Sequence, residues 1–212
     1  MEQKPICIIV GAGNFDRFYM EIDRKITFVI AADGGYEHLK RVGVKPDLWV
    51  GDGDSLSDEA KTYLKEQDIE RIDLPVMKDE TDMLYAVNCA LQMGCQSFHL
   101  YGGMGGRIDH TLANITVLSY LADLGKECFL YDGMTLLTAI KNKAITFPDG
   151  AEGAISIFSL AEESRGVTLR GLKYELENAN LKSSSSLGVS NEFVGDESLV
   201  SVEDGKLLIV LT

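Results

Sequence analysis

The sequence holds little of what thiolate-metal, nucleophilic or membrane chemistry needs. Its four cysteines, Cys7, Cys89, Cys95 and Cys128, include no Cys-x-x-Cys pair, and His38, His99 and His110 do not cluster near them. That spacing offers no zinc framework and favours buried free thiols. No Ser-His-Asp or Cys-His arrangement follows from the spacing, so the histidines read as structural or surface residues. No stretch approaches the length of a membrane span. The start, MEQKPICIIVGAG, has one lysine and an apolar run too short for a secretory leader, so the cytoplasm is the expected compartment. Basic residues are also scarce: 20 Lys and Arg stand against 33 Asp and Glu, a formal net charge of −13. Such a surface argues against nucleic acid and anionic membranes as partners. It favours a cationic partner and still permits an anionic ligand in one locally positive site.

What is present is ample apolar material, 45% of 212 residues, enough for one or two domains with a sizeable core. Short apolar runs lie at residues 6–10, 27–31, 48–50, 69–74, 98–101 and 128–131. Amphipathic segments lie between several of them, at 59–67, 81–93 and 109–124. The second puts Met83, Leu84, Val87, Ala90 and Leu91 on one face, and the third Leu112, Ile115, Leu118 and Leu121. Strand-helix alternation predicts a doubly wound, mostly parallel sheet covered on both faces. From about Ala144 the pattern changes to short alternating strands with turn signals such as Pro148-Asp149-Gly150 and Glu203-Asp204-Gly205. The expected division is an α/β domain over 1–141 and a small all-β domain, a sandwich or half barrel, over 142–212. Four consecutive serines at 183–186 read as a mobile loop.

The aspartates fall where chemistry is expected. Asp33, the pair Asp52/Asp54 and the pair Asp79/Asp82 each follow a predicted strand. Those strand ends face the ligand crevice of an open α/β sheet. Asp52 and Asp54, two apart in an extended segment beside glycines, point the same way and suit Mg²⁺, though Asp-Gly is also ordinary turn chemistry. Asp33, in Asp33-Gly34-Gly35, either faces a ligand or caps the helix starting near Tyr36. In Lys78-Asp79-Glu80-Thr81-Asp82, either Asp79 or Thr81 caps the next helix, while Asp82 faces a metal and Lys78 a phosphate. The loop Gly102-Gly103-Met104-Gly105-Gly106-Arg107-Ile108-Asp109-His110 joins a strand to a helix. Its glycines let main-chain N–H groups approach an anion, and Arg107 adds a forked donor. It is neither a Walker A loop nor a G-x-G-x-x-G fingerprint. Gly11-Ala12-Gly13 is half a dinucleotide fingerprint with Asp16 at the third glycine, and reads as a turn flanking the same crevice.

DGG at 33–35, PDLWVGDGDS at 46–55, KDETD at 78–82, GGMGGRIDH at 102–110 and GVSNE at 188–192, in this order, resemble the thiamine pyrophosphokinase family. The resemblance spans nearly the whole chain, including the β tail. It departs at Gly53, where the family usually carries an aromatic, and that puts the packing of the loop in question. The family implies a homodimeric enzyme that moves the pyrophosphoryl group of ATP to the thiamine hydroxyl, giving thiamine diphosphate and AMP. By motif match, Asp52, Asp54 and Asp82 are implied as Mg²⁺ ligands. Asp33, Gly34, Lys78, Gly103, Gly105, Gly106, Arg107 and Asp109 are implied around the ATP phosphates, and Ser190 and Asn191 as thiamine contacts across the dimer. The serine run would then border a substrate site. Two other readings stand beside this one: a nucleotide-sugar glycosyltransferase using Asp-x-Asp, and a non-catalytic nucleotide or thiamine sensor.

Overall fold

Apolar runs and amphipathic segments alternate through the first half of the chain, and in the computed structural model they become strands and crossover helices. Residues 5–16, 20, 22–77 and 79–212 are described. In chain order the first elements are β1 (Ile6–Val10), β2 (Thr27–Ala32), α1 (Gly35–Arg41), β3 (Leu48–Gly51), α2 (Asp58–Glu66), β4 (Glu70–Asp73), α3 (Asp82–Gln92), β5 (Ser97–Tyr101), α4 (Ile108–Asp123) and β6 (Glu127–Asp132). The chain divides into two compact units. One comprises Met1–Val117 with Leu130–Gly133, the other Leu118–Phe129 with Met134–Thr212, so α4 and β6 each change unit partway.

In the first unit β1 pairs in parallel with both β2 and β5, and β3 joins β2 to β4. Strand alternation sends Ile8, Val10, Val29, Ala31 and Trp49 into one core with Tyr36 and Leu39 of α1 and Ala60 and Leu64 of α2. α3 packs against β1, β2 and β3 but contributes nothing to that core, so it covers the opposite face. β4, Glu-Arg-Ile-Asp, is largely exposed, a charged edge that resists pairing with another chain. The strand order runs from β1 to β2 on one side and to β5 on the other. The crevice at their carboxyl ends is therefore a topological switch point.

The second unit adds β7 (Thr135–Lys141), β8 (Ala144–Phe147), β9 (Ala154–Ser159), β10 (Glu163–Arg170), β11 (Leu176–Lys182), β12 (Asn191–Glu192), β13 (Ser198–Ser201) and β14 (Lys206–Leu211). β14 pairs antiparallel with β7 and β9, and β9 with β12. A second antiparallel sheet runs β11-β10-β13-β8. Ile155, Ile157, Leu207 and Ile209 of the first sheet and Val167, Leu169, Leu181 and Val200 of the second share one core. This is the expected sandwich. Residues 183–186 enter a turn in which Ser183 N–H donates to Glu162 O and Ser185 N–H to Lys182 O.

All four cysteines are free and buried, and burial pushes the Cys128 thiol up to about 11, which keeps it protonated and inert. No described helix is long and apolar enough to cross a membrane.

Candidate functional site

At the carboxyl ends of β2 and β3 the carboxylates converge. Oxygen atoms of Asp33, Asp52 and Asp54 lie within 4.8 Å of one another. Asp33 is buried, at 5% exposure, and left-handed at φ 44°. It does not cap α1, whose N-cap is Gly34 without a side-chain bond. Its Oδ1 instead accepts the Gly53 N–H at 3.0 Å. Asp52 Oδ1 accepts the Asp54 N–H at 3.1 Å, and the Ser55 hydroxyl donates to Asp54 Oδ1 at 3.0 Å. These bonds fold the Gly53 loop so that its two carboxylates face the buried third. Such hard oxygen donors fit a divalent cation.

Asp82 stands apart from this cluster but lines the same cleft. Thr81 caps α3, its Oγ1 accepting the Leu84 N–H at 3.2 Å, which decides between the two expected caps. The cap leaves Asp82 in the first turn, with Oδ1 buried. Asp79 is exposed, and Lys78 lies outside the described residues.

Opposite the carboxylates, the cleft is built of main chain. Gly11 N–H donates to Tyr101 O, Gly13 N–H to Gly102 O and Asn14 N–H to Met104 O, at 2.7–2.8 Å. The turn after β1 thus locks onto the glycine loop after β5. The approach leaves no room for side chains. A Cβ on Gly102, itself at φ 63°, would stand 2.1 Å from Gly11 O, and one on Gly13 would stand 2.4 Å from Met104 O. Two features carry more of the site than their sequence pattern suggests. One is the 11–13 turn, whose partner loop is remote in sequence. The other is Asn114, 6% exposed, whose Nδ2 donates to Gly103 O at 2.6 Å and pins the loop to α4. A polar residue inside an amphipathic helical pattern was the available signal.

The cleft has a volume of about 370 Å³. Asp33, Ser55 and Asp82 line it together with residues 102–107, His110 and Asn114. Gly103, Gly105 and Gly106 are all on that lining, whereas Gly34, the N-cap of α1, is not. Arg107 precedes α4 with its side chain 70% exposed. Its Nη2 donates to Asp109 Oδ2 at 2.6 Å and its Nε to Oδ1 at 3.2 Å. That fork holds the Asp109 carboxyl down at about 2. Asp109 therefore orients the guanidinium from outside the cleft wall. The N-terminal end of α4 and the fork together offer donors to an anion.

In the second unit, Ser190 is left-handed at φ 58° and exposed, its N–H donating to Ser156 Oγ at 3.0 Å. Asn191 is 1% exposed. Its Oδ1 accepts the Tyr174 and Glu192 N–H groups and its Nδ2 donates to Tyr174 O at 2.7 Å. The Asn191 amide is thereby committed to fixing the main chain at Tyr174, a residue 59% exposed.

Residues 19–130 match the family model "Thiamin pyrophosphokinase, catalytic domain", and residues 143–207 match "Thiamin pyrophosphokinase, vitamin B1 binding domain". The Thiamine pyrophosphokinase of Bacillus subtilis (strain 168) is 27% identical over 192 residues, covering 87% of this chain and 86% of the relative. Thiamine pyrophosphokinase 1 of Oryza sativa subsp. japonica is 27% identical over 180 residues, covering 79% and 66%. Among solved structures, a Thiamin pyrophosphokinase from Geobacillus thermodenitrificans superposes with a TM-score of 0.85 at 29% identity, over 98% of this chain and 97% of that one. The Bacillus subtilis structure superposes at 0.86 and 24% identity, over 99% of both chains.

Proposed function

Because the chain belongs to the thiamin pyrophosphokinase family, we propose a division of labour among its residues in that family's reaction. The protein is an ATP-dependent pyrophosphoryl transferase that converts thiamine and ATP to thiamine diphosphate and AMP. Both family models are matched, which sets aside the glycosyltransferase and sensor readings.

Asp52 and Asp54, joined by Asp33 and by Asp82 of the same cleft, hold Mg²⁺. The observation that carries this is the convergence of three carboxylates within 4.8 Å, one of them buried. Like charges so placed repel unless a cation is bound among them. When bound, Mg²⁺ offsets phosphate charge and orients the triphosphate. The main-chain wall at Gly103, Gly105 and Gly106 and the Arg107 fork take the ATP phosphates, and Asp109 aims Arg107. Gly34 and Lys78 belong to the same ATP site, by motif match. In-line attack of the thiamine hydroxyl on the β-phosphorus needs chiefly position and charge stabilisation, which donors fixed in advance supply. Arg107 meets charge developing on the transferred group.

Residues 1–141 carry the ATP and Mg²⁺ chemistry in this reading, and 142–212 the thiamine contacts. Ser190 presents its hydroxyl to thiamine, and Asn191 acts there by holding Tyr174. The enzyme works as a homodimer, in the cytoplasm. Four reduced cysteines support that compartment, and the acidic balance suits a cationic substrate.

The test has two arms. Incubation with ATP, thiamine and Mg²⁺ is expected to release AMP and thiamine diphosphate in equal amounts, whereas ADP with thiamine monophosphate would mean a different transfer. Asp54→Asn is expected to keep the fold and lose turnover by about 100- to 1000-fold. Near-normal turnover in that variant removes the metal assignment.

A further inference from the structure

Asp52 and Asp54 flank Gly53, which sits at φ 75° and gives their loop freedom that a cation site does not want. The restraint comes from Asp33, through its bond to the Gly53 N–H. Asp33 is itself a non-glycine residue in the left-handed region, so something must hold it there. Its N–H donates to Val50 O at 2.7 Å. Its carbonyl accepts the indole N–H of Trp49 at 3.1 Å, a buried bond from β3. The far edge of the same indole lies under the loop. Trp49 Cη2 and Cζ2 are 3.8 and 3.9 Å from where a side chain on Gly53 would begin. One ring therefore ties the backbone of Asp33 and floors the turn between Asp52 and Asp54. Trp49 is 2% exposed, so it acts through these residues and touches no ligand.

We infer that Trp49 is a positioning residue: its indole N–H fixes Asp33, and with it the Asp52–Asp54 loop, as a cation site formed before metal arrives. The inference rests on the reading of those carboxylates as metal ligands. Its structural half, the fixing of Asp33 and the loop, stands independently.

The experiment uses the whole chain. Trp49→Phe keeps a ring and removes the N–H. The benzothienyl analogue of tryptophan keeps the ring's shape without the N–H, and placed at the chain's one tryptophan it serves where Trp49→Phe folds poorly. Leu64→Ala, in the same core but away from Asp33, is the packing control. Amide exchange is measured over residues 51–56 in metal-free protein, and Mn²⁺ affinity by electron paramagnetic resonance. Loss of the N–H is expected to speed exchange there, and to weaken Mn²⁺ binding, by roughly 3- to 10-fold each, the worth of one hydrogen bond. Leu64→Ala is expected to lower the thermal midpoint and leave Mn²⁺ affinity unchanged. Unchanged exchange over 51–56 overturns the inference, as does faster exchange with undiminished Mn²⁺ affinity. If the unaltered protein takes up no Mn²⁺, the metal reading fails and the exchange comparison alone decides the role of Trp49.

Discussion

One wall of the cleft is made of side chains and the other of main chain, and the two fail in opposite ways. The carboxylate side, Asp33 and Asp82 on the lining with Asp52 and Asp54 gathered beside Asp33, is expected to lose its chemistry when a group is taken away. The glycine wall, where the 11–13 turn bonds to residues 102–104, loses its shape when a group is added. Charge needs atoms at chosen points, and only side chains place carboxylates. An array of N–H donors needs the backbone itself to come close, and any Cβ stands in the way.

The comparison predicts a graded set of outcomes. The largest falls on the main-chain wall. Gly102→Ala adds one carbon 2.1 Å from Gly11 O at a left-handed position. It is expected to cost about 3 kcal/mol of stability, read as a lower denaturant midpoint, and to abolish turnover. A variant as stable as the parent would show that the two turns are not locked. Next is Arg107→Ala, expected to lower kcat by about 100-fold with the thermal midpoint unmoved, because the side chain is exposed. A shifted midpoint with normal kcat would move Arg107 from chemistry to scaffold.

Asn114→Ala sharpens the contrast, since it damages the main-chain wall by removal. It leaves the Gly103 carbonyl buried without its donor. A loss of about 2 kcal/mol is expected, together with a raised KM for ATP and a smaller change in kcat. Unchanged KM would separate α4 from the loop.

The smallest effect is with pH. The Arg107 fork lowers the Asp109 pKa to about 2, against an ordinary value of 3.8. A lowered carboxyl favours the folded state fully above its unfolded pKa, and that contribution fades as pH falls through the folded value. The pair is therefore expected to persist unchanged from neutrality to about pH 4 and to be lost toward pH 2. Carboxyl titration by NMR checks this; a midpoint near 4 would mean the fork is not formed in solution.

Much of this was legible in the sequence because it is local. Short apolar runs ending in aspartate place Asp33, Asp52 and Asp54 at strand ends, and Thr81 three residues before Leu84 is a cap visible in one dimension. The change of period near Ala144 marks the sandwich. What could not be read is what depends on distant partners. Asp33 offered a cap or a ligand, and chose the Gly53 N–H, which only the pairing of β2 with β3 brings near. Gly11-Ala12-Gly13 looked like an incomplete fingerprint because its partner is the loop after β5, adjacent only once β1 and β5 pair. Asn191 matched a substrate motif, yet its amide is spent on Tyr174, a bond that sequence spacing does not announce.

The placement of the one tryptophan has a practical consequence. Its indole bonds to Asp33 O inside the wall that gathers the carboxylates. Ultraviolet emission excited at the red edge of protein absorbance therefore originates from a single chromophore beside the candidate site. The unmodified enzyme carries its own optical gauge: quenching or a wavelength shift on adding cation or nucleotide would report events at that wall, without a dye or a label.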